Sequence, residues 1–219
     1  MSARQNLSAR DAIFAAIRKV QTDGAAPAAI EAEAQACSQA MKLTLPGLNT
    51  TDLPALFAAR VTAEKVGATL ERVAGLSDLP SVVARYVAAN DLAPDFSLQP
   101  DPRLEALAWD GLRPGAPLRR DTPLAVGLAL CGVAETGSLV FHSSAEAPTL
   151  FGFLPLHHLV ALDAQSLVPR LEDYAALVSG QPVPRNVNFI TGASGTTDIE
   201  GVLARGAHGP GRLHIVIYN

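Results

Sequence analysis

Apolar residues recur at helical spacing near the N-terminus. Ser8 stands three residues before Asp11 as a hydroxyl cap, and Ile13, Phe14, Ile17 and Val20 then share one face. A helix of about four turns is predicted there, ending near Gly24. Residues 27–41 are alanine-rich and open with Pro27; they predict a second helix whose thin apolar face suits contact with a partner. Pro46, Gly47 and Asn49 mark residues 43–51 as a loop. The chain therefore divides into an N-terminal helical segment, 1–42, and an α/β domain, 43–219.

Beyond the loop, helical and extended patterns alternate. Residues 51–66 read as a helix with Leu53, Leu56, Phe57 and Val61 inward, Arg60 at the edge of that face and Gly67 as the stop. A strand over 68–73, a helix over 79–89 (Val82, Val83, Tyr86 and Val87 inward) and a strand over 95–98 follow. The C-terminal half supplies five more apolar runs, at 124–134, 138–141, 158–162, 186–191 and 214–217, with a helix predicted over 166–179. Such alternation predicts an open, mainly parallel sheet with flanking helices.

Composition narrows the partners. With 219 residues and 48% hydrophobic content, the chain can bury one substantial core. A net charge of -4 and scattered arginines argue against nucleic acid. The polar start, residues 1–11, lacks the apolar stretch of a signal peptide, and the longest charge-free apolar run has 13 residues (122–134), short of the roughly 20 that span a bilayer. A cytoplasmic chain without a membrane span is expected. Cys37 and Cys131 are far apart, so no thiolate metal or iron–sulfur site is expected, and both are read as buried small apolar residues.

The richest chemistry lies where an apolar strand runs into Thr191-Gly192-Ala193-Ser194-Gly195-Thr196-Thr197 and then Asp198-Ile199-Glu200. Small residues allow a tight turn with amides open to a ligand. Thr197 with Glu200 fits a capping box, so a helix is predicted to start there with its positive dipole end towards the loop, an arrangement that holds anions. Asp198 reads as part of that cap, while Thr191, Ser194 and Thr196 exceed what capping needs. The segment is neither a Walker loop nor a dinucleotide fingerprint.

Two further segments bear on the reading. His208, among Gly206, Gly209 and Gly211, can act as acid, base or hydrogen-bonding fixture. Glu135 and Thr136, beside Gly137, form either a polar turn or a carboxylate facing a pocket at a sheet end. His157 and His158 are adjacent in a strand and point to opposite faces, so no metal site is expected.

Four motifs in order carry a resemblance: Ala134-Glu135-Thr136-Gly137-Ser138-Leu139-Val140, Leu154-Pro155-Leu156-His157-His158-Leu159-Val160, Thr191 through Glu200, and His208-Gly209-Pro210. Together they resemble the LUD-domain lactate-utilisation family of the LutC type. The resemblance implies a fold like the NagB/RpiA/CoA-transferase group, ligands near strand ends, and a role in bacterial oxidation of L-lactate to pyruvate beside iron–sulfur partner proteins. Carried over by motif, Glu135 and His208 are the candidate catalytic residues. Thr136, Gly137, Thr191, Gly192, Ser194, Gly195, Thr196, Asp198 and Gly209 are the candidate ligand-binding residues, with Glu200 beside them. Many relatives carry a larger, often basic residue where this chain has Gly195, and Arg185 or Arg205 are candidates to supply that charge.

Two functions follow from the resemblance. One is an accessory subunit of lactate oxidation that binds a small anionic ligand, acts with iron–sulfur subunits and carries no cofactor of its own. The other is a CoA-transferase or isomerase type of enzyme, with Glu135 as nucleophile or base and a phosphate- or CoA-binding loop at 191–197.

Overall fold

The computed structural model describes residues 8–20, 26–40, 45, 47–197 and 203–219. Two compact units result, residues 1–47 and 48–219. In the first, Ser8 caps α1 (Ala9–Val20): its Oγ accepts the Asp11 amide proton at 3.2 Å and donates to the Asp11 carboxylate at 2.6 Å. Arg10 lies 5.5 Å over the Phe14 ring, while Ile13, Phe14, Ile17 and Val20 stay exposed. The second helix, α2 (Pro27–Ala40), carries Cys37 on its exposed surface. That corrects the expectation of two buried cysteines, since the described part of α2 presents Cys37 to solvent. Gly24, Met41 and residues 198–202, with the readings placed on them, lie outside the described residues.

The second unit is built on six strands joined only by parallel pairings, in the order β1 (Ala68–Arg72), β12 (Arg212–Tyr218), β7 (Pro155–Asp163), β4 (Thr122–Leu128), β2 (Asp95–Leu98) and β3 (Arg113–Pro114). On one face α4 (Leu79–Ala89) buries Leu79, Val82, Val83 and Val87 against Phe96, Leu124, Leu159 and Val216. The short α5 (Pro102–Glu105) seals the same side with Leu104.

On the other face α3 (Leu53–Val61) and a second sheet cover Val160, Leu162, Ile215 and Ile217 with Phe57, Val61 and Leu139. Both faces of β7 are thus dry, Leu159 facing one layer and Val160 the other. That is why this strand reads as a continuous apolar run rather than an alternating one.

The second sheet is the main departure from expectation. It orders β8 (Leu167–Val168), β5 (Cys131–Val133), β6 (Ser138–His142) and β9 (Val187–Ile190), with β6 antiparallel to both of its neighbours. The run 124–134 is therefore two strands in two sheets, broken at Ala129 and the exposed Leu130. Likewise the helix predicted over 166–179 is only α6 (Leu171–Val178). Pro169 disfavours helical backbone at Val168, and Leu167 and Val168 pair with Gly132 and Val133 instead. Cys131 is buried and burial pushes its thiol up to about 11. Among the described residues, no helix is long and apolar enough to cross a membrane.

Candidate functional site

The hydroxyl-rich loop after β9 is pinned at both ends by backbone bonds. Ala193 N–H donates to the Val66 carbonyl at 3.0 Å, in the turn between α3 and β1. Ser194 N–H donates to Pro210 O at 2.8 Å, and Gly206 N–H donates to Ser194 O at 3.0 Å. Two amides read from the sequence as open to a ligand are therefore engaged within the protein. Gly192 makes this docking possible: its φ is +84° and a Cβ there would overlap the Val66 carbonyl oxygen.

Side-chain hydroxyls then line up across two strands of the second sheet. Thr191 Oγ1 lies 2.6 Å from Ser138 Oγ, which lies 2.7 Å from Thr136 Oγ1. Ser138, the middle member, is buried, while Thr191 at one end is exposed and Thr136 at the other is half-buried. Gly137, at φ +71°, lets this turn press on α3, where a Cβ would meet Arg60 Cβ at 2.8 Å and Val61 Cγ1 at 3.0 Å. Replacing Ser138 by Ala removes the central member of the row. A loss of about 1–2 kcal/mol in unfolding free energy is expected, measurable by urea denaturation.

A second group continues along the same loop. Ser194 Oγ accepts the His208 backbone N–H at 3.3 Å, and Thr196 Oγ1 lies 3.2 Å from His208 Nδ1. Gly209 passes close to Ser194. His208 and Gly209 open onto a cleft of about 350 Å³ shared with Arg120 and Asp121. The candidates thus fall into two hydrogen-bonded groups, Thr136 with Ser138 and Thr191, and Ser194 with Thr196 and His208, joined through the backbone of residues 191–194.

Other candidates fall elsewhere. Glu135 Oε1 accepts the Leu171 N–H at 3.0 Å, capping the first turn of α6, so its carboxylate serves a different element from His208. The helix predicted from Thr197 is absent at that residue. Gly195–Thr197 is instead strand β10, paired antiparallel with β11 (Leu203–Arg205). The pairing of Thr197 with Leu203 leaves only the five residues between them for the predicted helix start. Asp198 and Glu200 lie outside the described residues. Gly195 is paired with Arg205 across this hairpin, but the Arg205 guanidinium lies against Gly67. Arg185 is exposed ahead of β9.

A polar cluster that the sequence did not reveal sits on the α4 face of the main sheet. Thr69 Oγ1 is 2.7 Å from His214 Nδ1, and His214 Nε2 is 3.2 Å from Glu71 Oε1. Tyr86 Oη is 3.0 Å from His157 Nδ1. The signal was faint: single polar residues at alternate positions of otherwise apolar strands. His158, one residue on, faces the opposite layer. There it stacks on Phe141 at 6.0 Å, fully buried, with neither ring nitrogen partnered among the described residues.

Residues 122–218 match the LUD domain family. Lactate utilization protein C of Geobacillus thermodenitrificans is 35% identical over 99 residues, covering 42% of this chain and 41% of that protein. The protein of the same name from Anoxybacillus flavithermus is 27% identical over 117 residues, covering 52% and 53%. An uncharacterized Neisseria meningitidis protein is 37% identical over 93 residues, covering 40% and 39%. The chain thus spans about half or less of the length of these curated relatives. A crystal structure of a DUF162 family protein from Deinococcus radiodurans shares the fold, with a TM-score of 0.52 at 17% identity over 79% of this chain and 100% of that one.

Proposed function

We infer that this chain, in which residues 122–218 belong to the LUD domain family, serves lactate utilisation as a subunit that binds a small carboxylate. The observation that carries the reading is the pair of hydrogen-bonded groups on one loop, Thr136 with Ser138 and Thr191, and Ser194 with Thr196 and His208. Hydroxyl and imidazole groups arranged in this way can both donate to a carboxylate and accept from a 2-hydroxyl group. Relatives named lactate utilization protein C support the pathway. Electron transfer falls to iron–sulfur partner subunits, because Cys37 and Cys131 are the chain's only cysteines. The bond from Leu171 to Glu135 favours this binding role over acyl transfer through that carboxylate.

Deleting the gene in its own organism tests the proposal. Growth on L-lactate should fail while growth on glucose continues, and the tagged protein should bring down iron–sulfur subunits. Restoration by the wild-type gene and poorer restoration by the Ser194→Ala/Thr196→Ala variant are expected. Normal growth on lactate together with no associated subunit would rule the proposal out.

A further inference from the structure

The starts of β1 and β12 and the C-terminal end of α4 enclose an open cleft of about 550 Å³ that shares no lining residue with the cleft at His208 and Gly209. Its polar groups are directionally ordered. The Glu71 carboxylate accepts from Arg85 at 2.9 Å and from His214 Nε2. Nε2 therefore carries the hydrogen, and His214 Nδ1 accepts the Thr69 hydroxyl. The relay ends at Thr69, an exposed residue lining the cleft. The Tyr86 ring lies 5.0 Å from that of His214.

Charge in the cleft is unbalanced. Arg85 matches Glu71, whereas neither Arg205 nor Arg212 forms an ion pair among the described residues. Arg212 Nη1 reaches only as far as Asn90 Oδ1, at 3.4 Å. Two guanidinium groups lining one concavity, beside hydroxyl and imidazole groups, match an oxyanion. The space is that of a small organic molecule rather than a bare ion.

We propose that this cleft is a binding site for a small metabolite bearing a phosphate or carboxylate group, held by Arg205 and Arg212, and that His214 takes up a proton as the anion binds. With Nδ1 protonated, His214 donates to Thr69 Oγ1, which frees the Thr69 hydroxyl hydrogen for the anion, while Nε2–H stays on Glu71. The groups facing His214 are Thr69 and Glu71 from β1, Arg85 and Tyr86 from α4, Arg212 from its own strand, His157 from β7 and Arg205 from the hairpin. Burial pushes the His214 and His157 imidazoles down and the Tyr86 phenol up. An added negative charge reverses that balance for the imidazole. The site stands independently of the lactate reading, since it uses other residues.

The full chain is titrated at about pH 7.5 with glycerol 3-phosphate, with L-lactate and with uncharged glycerol, followed by calorimetry and by the histidine imidazole resonances in NMR spectra. At least one oxyanion should bind saturably and glycerol should not. The His214 resonance, assigned with His214→Gln, should move towards its protonated position on binding. Arg205→Gln/Arg212→Gln should weaken binding at least about tenfold, whereas Arg18→Gln/Lys19→Gln, an equal loss of charge on the exposed α1, should leave it unchanged. Binding of the phosphate ester alone would assign a phosphorylated metabolite, and of lactate alone a hydroxycarboxylate. Binding of neither, or equal binding by the double arginine variant, overturns the proposal, and neither result bears on lactate growth.

Discussion

Acidification from about pH 7 to pH 4 is expected to lower the unfolding free energy by on the order of 3 kcal/mol through His158 alone. Its imidazole is wholly enclosed between the two sheets, and that burial pushes its pKa down to about 4. In the unfolded chain the same group titrates near its ordinary 6.5. The folded pKa is the lower one, so the unfolded state binds the extra proton first. Stability is intact above about pH 6.5 and declines as pH falls towards the folded value. His158→Leu removes the titrating group and the two unpartnered nitrogens at similar volume, so the variant should match or exceed wild-type stability at pH 7. Urea unfolding of both proteins across this pH range isolates the effect from that of the carboxylates, which both share. Parallel curves for the two proteins would show that His158 finds a partner that lets it ionise in the fold.

Gly192→Ala is expected to cost about 2–4 kcal/mol. Positive φ is the smaller part of that loss. The larger part is the overlap between the new Cβ and the Val66 carbonyl, which cannot yield without breaking the bond from Ala193. Gly180 provides the control, with a φ of +77° and open space where its Cβ would stand; Gly180→Ala should cost only about 1–2 kcal/mol. Thermal and urea unfolding of the two variants separate strain from overlap. Equal losses would mean that the Val66 contact does not hold the loop. Because Thr191 and Ser194 flank the contact, Gly192→Ala should also weaken any carboxylate binding at the loop's hydroxyls.

Local pattern carried much of the fold. The span of α4 and the Ser8 cap of α1 were legible, as were five strands of the main sheet, because burial on a helix face or within a two-sided sheet leaves a periodic trace in adjacent residues. Glu135 and His208 were legible as unusual residues, but their surroundings were not. A turn carboxylate that caps α6, 36 residues away, looks the same in sequence as one that faces a pocket.

The sequence by itself determined the helices with well-separated apolar faces, the parallel character of the main sheet, and the motifs that tie residues 122–218 to one family. Only the tertiary structure decided that the run 124–134 changes sheets, that residues 195–197 pair with 203–205 rather than begin a helix, and that Thr69, Glu71, Tyr86, His157 and His214 meet. The reason is physical: these outcomes depend on hydrogen bonds and burial between segments up to 145 positions apart. Such contacts override local propensity and leave almost no periodicity along the chain to mark them.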